Sequence, residues 1–335
     1  MERDDDAAIA AGKLPAGLLA ELLGGLPPPP PEVRLGPAIG EDACAIATPA
    51  GTLVAATDPI TLTSAQAGRF AVLVNANDVA VTGVRPRWFL ATVLLPPGTA
   101  ARDVRALFDS VRQGLDEVGA HLVGGHTEIT GAVTQPVVVG QMLGHAPHDR
   151  FVSTGGMRPG DVVVQVGQAP VEGAAVLATE AADRLGGVDA ALLQAARAAL
   201  SDPGISVVEA ALFAADRGAV ALHDPTEGGL ASGLHELAAA SGVALVVDRA
   251  AVPWFAPGSA VCAALGGDPW ATLASGALLA AFRPEHAGAA LDALQARHAP
   301  AAAVATAEPG SGVRDRAGVA IPWPQRDEVA RLLGS

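Results

Sequence analysis

Apolar and polar positions recur along this chain in two rhythms, and those rhythms separate helices from strands. From Arg102 to Gly119 the apolar residues Val104, Leu107, Phe108, Val111, Leu115 and Val118 return at helical spacing, and a glycine closes the run. This predicts the best-defined helix in the chain. Shorter apolar runs predict strands over 51–58, 88–95 (stopped by Pro96 and Pro97), 121–125, 136–144, 161–167, 219–222 and 276–282. The segment 69–83, "RFAVLVNANDVAVTG", fits either a buried strand or a helix. Helix is favoured because Asn75, Asp78 and Thr82 fall at i, i+3 and i+7 and so share a polar face. Further helices are expected over 14–23, 188–200, 206–218 and 230–242, and from about Glu285. In 230–242 the stripe Leu230, Leu234, Leu237 faces inward and leaves His235 and Glu236 toward solvent. A proline run from Pro27 to Pro31 reads as a stiff spacer. Strands and helices alternate without a solenoid-length repeat, and the turn-rich "GGMRPGD" follows a break near residue 150. The expectation is an α/β or mixed α+β protein of two domains, 1–150 and 151–335.

Composition narrows this picture. Half of the 335 residues are hydrophobic but only 3% are aromatic, so Ala, Val and Leu must build the core through close backbone approaches. Charged residues are 17%, which favours a folded chain over disorder. A net charge of −14 disfavours nucleic acid and anionic membrane as partners, although a metal ion could still carry a polyanion to the surface. Cys44 and Cys262 make neither a disulfide framework nor a zinc set, which fits the cytoplasm. The acidic start "MERDDD" does not resemble a signal peptide. The longest uncharged run, 250–267, is broken by Pro253, Pro257 and Gly258 and so predicts no membrane span.

No P-loop, dinucleotide fingerprint, nucleophile elbow or zincin motif is present. Five stretches instead share one character, a carboxylate or amide at the end of an apolar segment beside glycine. They are "GPAIGEDACAI" (36–46), "ATDPIT" (56–61), "NANDVAVTG" (75–83), "GGHTE" (124–128) and "HDPTEGG" (223–229). Clustered acids are costly unless a cation arrives, and hard oxygen donors suit Mg²⁺, which completes its shell with water and phosphate. Glycines beside them let backbone N–H groups approach phosphate oxygens. Each stretch also has a plainer reading: Asp42 or Asp58 as a turn or cap, Glu227 as a helix-start acid, Asn75 and Asp78 as a solvated face. His126 and His223 could be structural, and both glycine pairs could be simple turns. Only the five together outweigh those readings. "GHAPH" (144–148) reads as a surface turn, and Cys44 as a small buried residue.

These stretches, with "GMRPGDVVV", "VEGAAVLATE" and "ASGALLAAF", occur in an order that resembles the aminoimidazole ribonucleotide (AIR) synthetase-related, PurM-like superfamily, nearest its HypE-like members, over about residues 12–283. The resemblance implies a two-domain α+β fold. N-terminal halves would pair into the barrel of a homodimer, with a C-terminal α/β domain packed outside. It implies ATP and Mg²⁺ as cofactors and activation or phosphorylation of an oxygen on a small-molecule or peptide acceptor. By the same likeness Asp42, Asp58, Asp78 and Asp224 are the metal set. Gly40, Asn75, Asn77, Gly125, His126, Thr127, Glu227, Gly228 and Gly229 line the nucleotide, and Asp78, Glu128 and Asp224 act in catalysis. The sequence departs from HypE where it ends "RDEVARLLGS" rather than in cysteine, and where Glu128 stands in place of a lysine. It also lacks the cysteine–lysine arrangement of selenophosphate synthetases and the "GVGTK"-like segment of AIR synthetase. Three alternatives stay open: a nucleotide-binding assembly or sensor module without turnover, a thiamine-monophosphate kinase-like enzyme, and a metal-binding scaffold.

Overall fold

Period-2 patterning builds the first of two sheets. In β3 (Gly51–Ile60) and β6 (Val137–Ala146) alternate side chains are buried, and the two strands pair antiparallel from Thr52↔Ala146 to Ile60↔Val138. The structure is a computed structural model that describes residues 31–36, 38, 40–41, 43–61, 66–298 and 300–334, with Gly17 and Ala20. The expected helix over 14–23, the proline run and Asp42 therefore fall wholly or largely outside the described residues. The sheet is completed by β1 (Val33–Leu35), β2 (Cys44–Thr48), β4 (Pro86–Leu95) and β5 (His121–Ile129), in the order β1-β2-β3-β6-β4-β5. Only β4 and β5 are parallel in it, because α2 (Ala101–Val118) supplies the crossover between them. As its spacing predicts, α2 buries Leu107, Val111, Leu115 and Val118 and ends at Gly119 in the left-handed conformation, φ 67°; Phe108 stays 37% exposed at the edge of the stripe.

The ambiguous segment is a helix, α1 (Ala67–Ala80), but no face of it is solvated: every residue in it is buried. It lies between the sheet and α2 and also touches α5 (Val208–Asp216) of the second half. Its polar residues therefore have to find protein partners. Arg69 pairs with Glu117 at 2.7 Å and donates to Leu200 O. Asn77 donates to Ile205 O and accepts from Val207 N–H, both at 2.9 Å. The side chain of Thr82 turns back on Val79 O.

The second sheet runs β12-β9-β11-β7-β10-β8, with β7 (Val162–Val166), β8 (Ala221–His223), β9 (Ala244–Val247), β10 (Leu278–Phe282), β11 (Ala301–Glu308) and β12 (Gly312–Asp315). Its strands are antiparallel apart from β9 and β12. Both faces are covered, which explains the unbroken apolar run of β10. Leu278, Ala280 and Phe282 point to a core shared with α5 and α8 (Pro284–Arg297), whereas Leu279 and Ala281 point to α6 (Gly229–Ser241). α3 (Glu172–Glu180), α4 (Ala190–Ala198), α7 (Ala256–Leu265) and α9 (Glu328–Leu333) complete the described elements. Among the described residues no single helix is long and apolar enough to cross a membrane.

Candidate functional site: a carboxylate cluster at the junction of the halves

Asp58 sits near the end of β3, and α1 fixes its backbone. Its N–H donates to Asn75 Oδ1 at 2.8 Å, while Asn75 Nδ2 donates to Asp58 O at 3.1 Å and Ala71 O at 2.8 Å. Asn75 thus holds the strand end in place. Asn77 is engaged instead with the backbone leading into α5, and Asp78 is buried on the same helix, 8% exposed.

From the second half, β8 ends at His223 and Asp224 follows it, 1% and 2% exposed, and the chain turns through Glu227 into α6. Gly228 and Gly229 make that turn with φ of 77° and 64°. A Cβ on Gly229 would lie 2.6 Å from Thr272 O, so the start of α6 must be glycine to pack on this loop. Their N–H groups have internal partners: Gly228 donates to Asp327 Oδ2 at 2.7 Å, and Gly229 to Thr226 O at 3.0 Å.

Two acids that the motif reading did not single out join this group. Glu172 opens α3, and Asp327 caps α9. Glu172 is half-buried by surface area, but its carboxyl is enclosed by protein. Burial pushes it up to about 7; a hydrogen bond with Ser275 opposes the rise, and the charges of Asp327, Glu227 and Asp58 add to it. Asp327 rises to about 6, again first through burial, against bonds from Val329 and Gly228 N–H, with Glu227 and Glu328 adding repulsion. Asp58 from one half and Glu172, Glu227 and Asp327 from the other are therefore close enough to feel one another. Signals for the two additional acids existed: an acid opening the apolar helix of "VEGAAVLATE", and the cap pattern of "RDEVARLL".

Other expected site residues lie elsewhere. Asp58, Gly140, Ala91 and Gly125 occupy one row across the first sheet, which places Gly125 three strands, about 14 Å, from Asp58. Gly125 abuts β4 so closely that a Cβ would meet Ala91 O at 2.1 Å. Beyond it, His126 and Glu128 face each other at 3.7 Å on the exposed edge strand β5, with Thr127 on the opposite side. Gly40 touches Glu236, two helical turns (about 12 Å) along α6 from Gly228. His235 and Glu236 do not face solvent as expected. His235 stacks on Trp323 and bonds Ile321 O, so residues 321–323 cover it, and Glu236 pairs with buried His223 at 2.8 Å beside Gly40.

Among the described residues no three His, Cys, Asp or Glu side chains gather into a ready-made metal cage. The cluster fits a hard cation that keeps water and phosphate oxygens in its shell, since its carboxylates repel one another and supply only oxygen donors. Asp58 and Glu227, with Glu172 beside them, would hold such an ion.

The AIR synthase related protein N-terminal domain model matches residues 40–146, and the C-terminal domain model matches 158–317. The chain belongs to the AIR synthase related family. Within this family it is 33% identical over 261 residues to the carbamoyl dehydratase HypE of Rhodobacter capsulatus, covering 76% of this chain and 74% of that protein. Two solved structures share the fold. A hydrogenase maturation protein HypE in complex with ATP aligns with a TM-score of 0.69 at 24% identity, over 89% of this chain and 92% of that one. Thiamine monophosphate kinase of Aquifex aeolicus aligns with a TM-score of 0.66 at 21% identity, over 84% and 92%. The two-domain PurM-like fold expected from the sequence is the fold observed.

Proposed function

We propose that this protein is an ATP- and Mg²⁺-dependent enzyme that activates or phosphorylates an oxygen of an amide, carbonyl or phosphate acceptor. One observation carries the reading: in a member of this family, Asp58 of one half lies near Glu172, Glu227 and Asp327 of the other, where burial, and then neighbouring carboxylates, push Glu172 and Asp327 toward their neutral forms. The HypE relative named as a carbamoyl dehydratase and the HypE structure with ATP support it. Asp58, Asp78, Asp224 and Glu227 would face the metal–triphosphate, and Asn75 would keep Asp58 in register. Mg²⁺, when bound, neutralises charge that builds on the phosphates. The exposed edge β5, with Leu122, Val123 and Ile129 uncovered, would pair with a second copy and carry His126 and Glu128 toward a shared site. Calorimetric titration with Mg²⁺ and a non-hydrolysable ATP analogue tests the assignment. Asp58→Asn and Glu227→Gln should each lose affinity on the order of tenfold or more; two folded variants that bind like the parent protein would overturn it.

Binding without turnover is the second reading, and the internal partners of the Gly228 and Gly229 N–H groups favour it. Tight ATP binding with no hydrolysis, alone or with cell extract added, would select that alternative.

A further inference from the structure

Residues 318–334 lie past the part of the chain matched by the C-terminal family model, yet they run directly over the start of α6. Ile321 O accepts from His235 at 2.8 Å, and Trp323 stacks on the same imidazole at 5.0 Å between centroids and 11° between planes. Pro324 lies over Gly228, 3.9 Å from where its Cβ would be. Asp327 then uses both oxygens: Oδ2 accepts from Gly228 N–H and Oδ1 from Val329 N–H, each at 2.7 Å. Beyond it Glu328 accepts from Asp268 N–H, and Arg331 donates to Gly266 O, which anchors the segment on α7. A single 9%-exposed carboxylate therefore ties the cap of α9 to a glycine ninety-nine residues earlier.

We infer that Asp327 is a positioning residue, and that the segment 321–333 is a strap which fixes the Glu227–Gly229 turn of the site. The need is physical. Two successive glycines in the left-handed conformation have few intrinsic restraints; packing against Thr272 and the bond to Thr226 O hold Gly229, and Gly228 N–H needs a partner of its own. The carboxylate supplies the missing restraint at Gly228, one residue from Glu227. Asp327 touches the turn and acts through it; no contact with reacting atoms is required. The inference rests on the proposed Mg–ATP reading for its kinetic consequence but not for its structural one.

The test uses the full chain and two variants, Asp327→Ala and Trp323→Ala. Amide hydrogen exchange in the ligand-free protein should speed up at Gly228–Ser232 by about tenfold in Asp327→Ala and about threefold in Trp323→Ala, with β5 unaffected. In turnover assays KM for Mg–ATP should rise about tenfold in Asp327→Ala while kcat stays within about twofold. Unchanged exchange at Gly228 in the folded variant overturns the inference. So does a collapse of kcat at constant KM, which would make Asp327 a group at the reacting atoms. Should Asp327→Ala fail to fold, the Trp323→Ala exchange pattern decides alone, and no change there also overturns it. If the parent protein binds no Mg–ATP, the function proposed above fails, while the exchange result still judges the strap.

Discussion

The acids at the junction of the halves and those on β5 are the same residue types in opposite surroundings. Glu172 and Asp327 are enclosed, lie near other carboxylates and are pushed toward neutrality. Glu128 is 53% exposed and faces His126, itself 68% exposed, at 3.7 Å on the edge strand β5. Burial, more than the neighbouring charges, is what pushes Glu172 and Asp327 up. A cation held as proposed by Asp58 and Glu227 would relieve a repulsion at the junction that folding has already incurred.

The largest expected effect follows from removing charge inside the cluster. Glu172→Gln should weaken Mg–ATP binding on the order of tenfold to hundredfold while raising ligand-free stability by about 1 kcal/mol at pH 8. Paired titration and denaturant melts would show it, and a variant that loses both affinity and stability would erase the contrast. Next comes the pH course of the ligand-free protein. Glu172 and Asp327 have folded values of about 7 and about 6, above their ordinary 4.5 and 3.8. Their contribution to stability is therefore complete below about pH 4 and lost as pH rises through about 6 to 7. Melts from pH 4 to 8 should show this decline, and saturating Mg²⁺ should flatten it. Smallest is Glu128→Gln, which should leave ligand-free stability within about 0.5 kcal/mol, because an exposed pair is worth little.

Much of the fold was legible where one period dominates. α2 is predicted within a residue at each end, and β6, β7, α4, α5 and α6 within two. β3 and β5 run further than expected, to Ile60 and Ile129, because cross-strand pairing carries the ladder through "PI" and "HTEI". β11, "AAAVATAE", gave no strand signal: its alanines favour helix, and pairing to β7 and β9 overrides that preference. The spacing puts Asn75 and Asp78 on a common helical face, but sequence alone does not show that the first sheet, α2 and α5 enclose it. Within the site, motif reading found Asp58 and Glu227. It passed over Glu172 and Asp327 because each is an ordinary helix-start acid until the fold places it beside the others.

Helix α1 is interior to both halves at once. Arg69 ties it to α2 and to Leu200, Asn77 ties it to the approach to α5, and one continuous apolar cluster extends from Ala43 to Val329. Cutting the chain near residue 150 would leave each fragment with a bare apolar wall and dangling amide partners. The shared core couples the two halves, so neither is expected to keep its packing when the other unfolds.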